Sequence, residues 1–200
     1  MRAQQSVVLV TVVTGIMMIG GCRIDSNKQG DHENVKIATP FGGVQVKTND
    51  ANVEQGLGLP VYPGAELVKK DKNSGSADVN LSFGKFQLRV KAASYHTPDS
   101  TDKVQAFYMN ALKRYGTVIQ CSHDKPIGTP TVTEEGLTCD EHGNAKYNGD
   151  TDTSGKVELK AGSKQHQHIV GIDPEGSGTK FGVVALDLPG NMTVEGDQRQ

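Results

Sequence analysis

Between Pro98 and Gly116 the chain carries its one sustained helical period. Val104, Phe107, Tyr108, Ala111, Leu112 and Tyr115 recur at three- and four-residue steps, which gathers them on one apolar stripe. Pro98, Asp99, Ser100, Thr101 and Asp102 supply N-cap candidates ahead of it, and Gly116 stands where a C-cap belongs. Three aromatic rings on the stripe suit core packing better than a ligand box. A stripe this broad needs a flat apolar partner, and the rest of the chain offers strands to build one. Val79, Leu81 and Phe83 share one strand face. After Gly84, so do Phe86, Leu88, Val90 and Ala92, with Gln87, Arg89 and Lys91 on the wet side. The two segments read as a hairpin. Further strand patterns follow over 117–121, 132–139, 156–160, 168–172 and 181–188, separated by turn-rich stretches and without any fixed repeat. The fold this predicts is α+β, a mainly antiparallel sheet with one amphipathic helix packed on it, in two layers.

Composition narrows the function classes. Charged residues are 22% of the 200 positions and apolar ones 35%, with a net charge of -2. A polytopic membrane protein and the strongly basic surface of a dedicated nucleic-acid binder are both excluded. Aromatics are 5%, Trp is absent and Gly numbers 24, so large core residues are few.

The strongest functional signal is at the start. Arg2 precedes residues 7–19, thirteen positions that are apolar except for Thr11, Thr14 and Gly15. That length suits the core of a secretory signal and falls short of the roughly 20 residues of a membrane-spanning helix. Ile19, Gly20, Gly21 and Cys22 follow, an aliphatic residue and two small ones before a cysteine. These four positions and the apolar run resemble the lipobox of bacterial lipoproteins. The resemblance implies cleavage after Gly21, a diacylglyceryl thioether on Cys22 and acylation of the new α-amine, palmitate being the kind of chain involved. Several buried acyl chains, at about 0.8 kcal/mol per methylene, hold such a protein to a membrane lastingly. The competing reading is an ordinary secretory signal or single anchor with an incidental cysteine. Arg23 follows Cys22 where inner-membrane retention signals of this family often carry Asp, so the outer membrane, facing the periplasm, is the expected location. Loss of residues 1–21 removes one arginine and takes the net charge from -2 to -3, which argues against phosphate or anionic headgroups as the main ligand.

Behind the signal peptide (1–21), residues 22–34 read as the lipidated N-terminus and a flexible polar tether. Residues 35–58 read as a hairpin around Pro40, Phe41, Gly42 and Gly43 with a loose linker, 59–190 as the α+β domain and 191–200 as a disordered tail. The extended Leu59-Pro60-Val61-Tyr62-Pro63-Gly64-Ala65 lead-in, the strand pair and the Phe-Tyr helix resemble a module of uncharacterised bacterial envelope lipoproteins. That likeness covers about residues 59–121 and brings no activity with it.

Cys121 and Cys139 remain once Cys22 is lipidated. In an exported domain they predict a disulfide. The alternatives are free thiols or a Cys₂His₂ zinc site with His123 and His142, which has suitable ligand types but a tight first spacing and an oxidising environment against it. Asp150, Asp152, Ser154, Gly155 and Glu158 match the first half of a calcium loop, although Ala161 replaces the expected bidentate Glu. A polar hairpin turn explains the same residues. They are weak metal candidates, and no metal or other cofactor is expected. His166 and His168 share one strand face as a metal half-site without a visible partner, against the plainer reading of a solvated edge. Lys69, Lys70, Asp71 and Lys72 read as a charged turn. Gly-x-Ser-x-Gly, Gly-x-Gly-x-x-Gly, Walker and His-Glu-x-x-His patterns are all missing.

The function expected from these signals is a lipid-anchored cell-envelope protein, more a binding or structural module than an enzyme. Its expected partners are the membrane through its lipid, and an envelope protein or wall component, with no nucleic acid. The rival is a periplasmic hydrolase or metal-dependent enzyme using His123, His142 or the Asp150 loop.

Overall fold

The computed structural model describes residues 22–29, 32–69, 75–139 and 157–190. In chain order these form β1 (Arg23–Gln29), β2 (His32–Thr39), β3 (Gly42–Lys47), α1 (Asp50–Gly56), β4 (Glu66–Leu67), β5 (Ser76–Phe83) and β6 (Phe86–Thr97). Then come α2 (Thr101–Leu112), a 3₁₀ turn (Lys113–Tyr115), β7 (Ile119–Ser122), β8 (Lys125–Pro126), β9 (Val157–Gly162), β10 (His166–Glu175) and β11 (Gly178–Asp187). All strand pairings are antiparallel, in the order β1-β2-β3-β5-β6-β11-β10-β9-β7-β8, with β4 beside the far end of β6. The chain is α+β with a mainly antiparallel sheet.

The helical stripe behaves as its spacing predicts. Val104, Tyr108 and Leu112 are fully buried on α2, while Phe107, Ala111 and Tyr115 pack at the margin. They meet Ala93 and Tyr95 of β6, Leu159 and Ala161 of β9, Val170 and Ile172 of β10, and Phe181 and Val183 of β11. Phe181 is the hub. Its ring stacks on Tyr95 at 5.4 Å and lies 5.5 Å from Tyr108 and 6.2 Å from Tyr62, and Tyr62 sits edge-on to Phe107 at 5.1 Å. The ring hydroxyls find partners at the rim: Tyr95 donates to Glu54 at 3.1 Å, Tyr62 to Asp99 at 2.8 Å and Tyr108 to the Pro60 carbonyl at 3.2 Å. A large ring can therefore be buried without stranding a polar atom. Burial, with Glu54 beside it, pushes the Tyr95 phenol well above its ordinary value.

Three expectations change. The chain has a second helix, α1, in the stretch read as a loose linker. Asn49 accepts from the Asn52 amide at 3.1 Å as its N-cap, and Val53 and Leu57, four residues apart, enter the same core. Val53 inside the helix and Leu57 at its C-cap leave too weak a period to stand out. The polar segment after Cys22, read as a flexible tether, runs as edge strand β1 along β2 from Arg23 opposite Ala38 to Gln29 opposite His32. An edge strand needs backbone partners more than apolar side chains, and charged residues suit it. The hairpin behind it joins the main sheet through β3 and β5. Finally, 132–139 is a turn rather than a strand. Thr133 accepts from the Leu137 amide through its hydroxyl at 2.9 Å, and its own amide donates to the Leu137 carbonyl at 3.0 Å. The tail after residue 190 lies outside the described residues.

Replacing Phe181 with Ala leaves the hub empty. Thermal unfolding followed by circular dichroism should show a loss of about 3–5 kcal/mol, a drop in melting temperature on the order of 10 °C for a chain of this size.

Candidate functional site

The sheet has two unlike faces beyond the reach of the helices. Register puts Asn80 opposite Arg89, Ser82 opposite Gln87, Gln45 opposite Asn80 and Lys36 opposite Gln45. Because side chains alternate along each strand, these residues share the face that bears the helices, but they stand where neither helix lies. The result is a polar groove of about 560 Å³ over β2, β3, β5 and β6. A second hollow of about 440 Å³ shares Asn80, Gln87 and Arg89 with it and continues over β10 and β11 to His166 and Asp187. Arg89 donates through Nε to Asn80 Oδ1 at 3.3 Å, which steadies the guanidinium across the floor. His166 Nδ1 lies 2.8 Å from Asp187 Oδ1, both side chains well exposed. Amides, a hydroxyl, the Lys36 ammonium and the Arg89 guanidinium can hydrogen-bond a ligand with carbonyl, amide or hydroxyl groups. Sequence reading placed Gln87 and Arg89 only on a wet strand face; the groove they build depends on register across four strands, which no local pattern encodes.

His168 lies on the same strand face as His166, as its spacing predicts, but the two imidazoles are committed separately. The His168 ring stacks on Tyr115 at 3.6 Å and 12°, and its Nδ1 is buried with no hydrogen-bond partner among the described residues. Tyr115 is fixed in turn by donating to the Gly58 carbonyl. Gly58 has φ +70, and a Cβ there would sit 2.5 Å from the tyrosine oxygen, so glycine serves both the turn and the close approach. Burial, the largest cause, pushes the His168 imidazole below its ordinary 6.5; Asp187 works against this, and Arg114 and His166 reinforce it.

Cys121 and Cys139 form the expected disulfide, with Cα atoms 5.6 Å apart. Both thiols are consumed, so a zinc site on them loses its sulfur ligands. The bond lies with Ile119 on the face turned away from the helices and straps the irregular segment before Cys139 over β7 and β9. Lys160, fully buried between them, pairs with Glu158 at 2.9 Å and donates to the Cys139 carbonyl at 3.4 Å. His123 sits on the exposed β7–β8 turn, its Nδ1 3.0 Å from the Ser122 hydroxyl. His142, Asp150, Asp152 and Ser154 lie outside the described residues, as do Lys70, Asp71 and Lys72. Lys69 approaches Asp50 at 3.6 Å. Among the described residues no group of three or more His, Cys, Asp and Glu side chains could hold a metal ion, and no helix is long and apolar enough to cross a membrane. Cys22 is exposed at the mouth of β1.

No family model, curated protein or solved structure matches this chain.

Two outcomes follow. Replacing both Cys121 and Cys139 with Ser should cost about 3 kcal/mol in thermal unfolding, the value for opening a loop with 17 residues between the sulfurs. For His168, the folded protein binds fewer protons than the unfolded chain just below pH 6.5, so its stabilising effect is present above that pH and lost as pH falls through it. The melting temperature should decline from pH 7 to pH 5, and His168→Phe, which keeps a ring on Tyr115, should flatten that decline.

Proposed function

We propose that this chain is a lipid-anchored protein of the cell envelope, held by acyl groups on Cys22 after removal of residues 1–21, and located at the outer membrane facing the periplasm. Its two-layer α+β domain acts without catalysis and binds another envelope component, a protein or a wall polymer, through the groove around Arg89. One observation carries the anchor: an apolar run of signal length ends in Ile19-Gly20-Gly21-Cys22, and Cys22 is exposed immediately before the first strand. A thiol there can carry bulky acyl chains without disturbing the sheet. The groove supports the binding half of the proposal. Amide and hydroxyl side chains on a strand floor offer a row of hydrogen bonds, with Lys36 and Arg89 as cations among them, which fits a peptide or glycan that presents carbonyl, hydroxyl or carboxylate groups.

The enzymatic rival draws its best support from His166 and Asp187, a histidine–carboxylate pair at the end of the groove. A pair this exposed is more simply a surface hydrogen bond between paired strands.

Intact mass of protein extracted from membranes tests the anchor. The mature chain should begin at Cys22 and carry acyl mass, and Cys22→Ala should leave the full precursor unacylated. For the groove, a photo-crosslinking residue at position 87 should give an adduct in intact cells. Asn80→Ala combined with Arg89→Ala should cut its yield about tenfold, the loss of one charged hydrogen bond, with the melting temperature unchanged. Turnover by the purified domain that His166→Ala abolishes would replace the binding reading with the enzymatic one.

A further inference from the structure

The chain has five phenylalanines. Phe107 and Phe181 are in the core, while Phe41, Phe83 and Phe86 gather at one end of the sheet, the end where Cys22 enters. Register shows how close they come. Arg23 pairs with Ala38, so Cys22 continues beside Thr39; Thr39 then pairs with Gly42, Gly42 with Phe83 and Phe83 with Phe86. At about 4.8 Å between strands, Cys22 and Phe83 are roughly 14 Å apart. Phe41 tips the β2–β3 turn in the same row and is 84% exposed; Phe83 is 43% exposed, and Ile24, next but one to Cys22, is 66% exposed.

These side chains are held in position. The Thr39 hydroxyl donates to the Gly42 carbonyl at 2.8 Å and accepts from the Phe41 amide at 3.3 Å. The Gly84 amide donates to the Phe41 carbonyl at 3.3 Å, tying the β2–β3 turn to the β5–β6 turn. Lys85 and Arg23 flank the apolar tips, and both are exposed, Arg23 also pairing with Asp25 at 3.0 Å. Apolar tips bordered by cations with long stems suit the boundary of a bilayer, where rings enter the lipid and ammonium or guanidinium groups reach the headgroups. A protein partner would have to occupy the same 14 Å that the acyl chains of Cys22 bring against the membrane, which favours lipid as the occupant.

We propose that Phe41, Phe83 and Ile24 form a membrane seat that presses this end of the sheet into the lipid interface beside the anchor. The proposal rests on the acylation of Cys22 proposed above, and its test separates the two. The chain contains no tryptophan, so Phe41→Trp and, separately, Val61→Trp each introduce a single tryptophan, excited apart from the tyrosines. Val61 precedes Tyr62, whose ring lies 6.2 Å from Phe181, and Phe181 pairs with Tyr95, nine residues and about 30 Å up β6 from Phe86. Each acylated, mature variant is extracted from membranes and reconstituted into phosphatidylcholine vesicles with or without brominated acyl chains. Trp at position 41 should lose most of its emission to the brominated lipid and shift to the blue, while Trp at position 61 keeps its emission. An acylated, vesicle-bound protein whose position-41 emission is untouched overturns the seat and leaves the anchor standing. Equal quenching at both positions overturns it too, because the domain then lies flat. Protein lacking acyl mass at Cys22 overturns the anchor and the seat together.

Discussion

Everything in this fold turns on where a small stock of aromatic rings is put. Phe181, Tyr95, Tyr108, Tyr62 and Phe107 are half of the chain's ten aromatics, and they touch one another in one cluster. The cluster binds β6 and β11 at the middle of the sheet to α2 above and to the proline-rich lead-in at its side. With so few large residues, a second centre of equal density could not be built. The far strands are instead secured by other means: the disulfide and buried Lys160 at β7 and β9, the Asn49 cap and the Tyr95–Glu54 bond at α1.

Concentrating the rings at the centre leaves the β2–β3–β5 wing thinly covered. One side of that wing alternates to Val35, Ile37, Val44, Val46, Val79 and Leu81, all half-buried; the other presents Lys36, Gln45, Asn80 and Ser82. The wing is thus amphipathic as a whole, and the groove and the phenylalanine end are products of the same alternation read on opposite faces and edges.

Much of this was legible in the sequence, for a physical reason. Features set by short-range periodicity were readable: the α2 stripe, the β5–β6 hairpin around Gly84, the β2–β3 hairpin around Pro40 and Phe41, and strands β9 to β11. Cys121 and Cys139 were paired from chemistry, compartment and count. What could not be read depends on partners far away in the chain. Strand β1 exists because β2 offers a ladder, and its side chains carry no apolar alternation. Helix α1 rests on Val53 and Leu57 finding a core supplied by later residues. The segment at 132–139 has strand-like composition, yet Thr133 satisfies the Leu137 amide locally and bends the chain. The groove around Arg89 needed four strands in register before it existed at all.

Strand β1 has one further consequence. A protein on a loose leash samples a wide volume and can turn any side to its surroundings, but here hydrogen-bonded backbone begins one residue after Cys22. Under the proposed anchoring, such a domain keeps one bearing and one height. Twelve residues of β6 span about 40 Å, and Arg89 is only three residues above Phe86, at about 10 Å from the lipid end. The groove would then be addressed to molecules that lie against the membrane, and the helical end would point out into the compartment as a fixed outer surface.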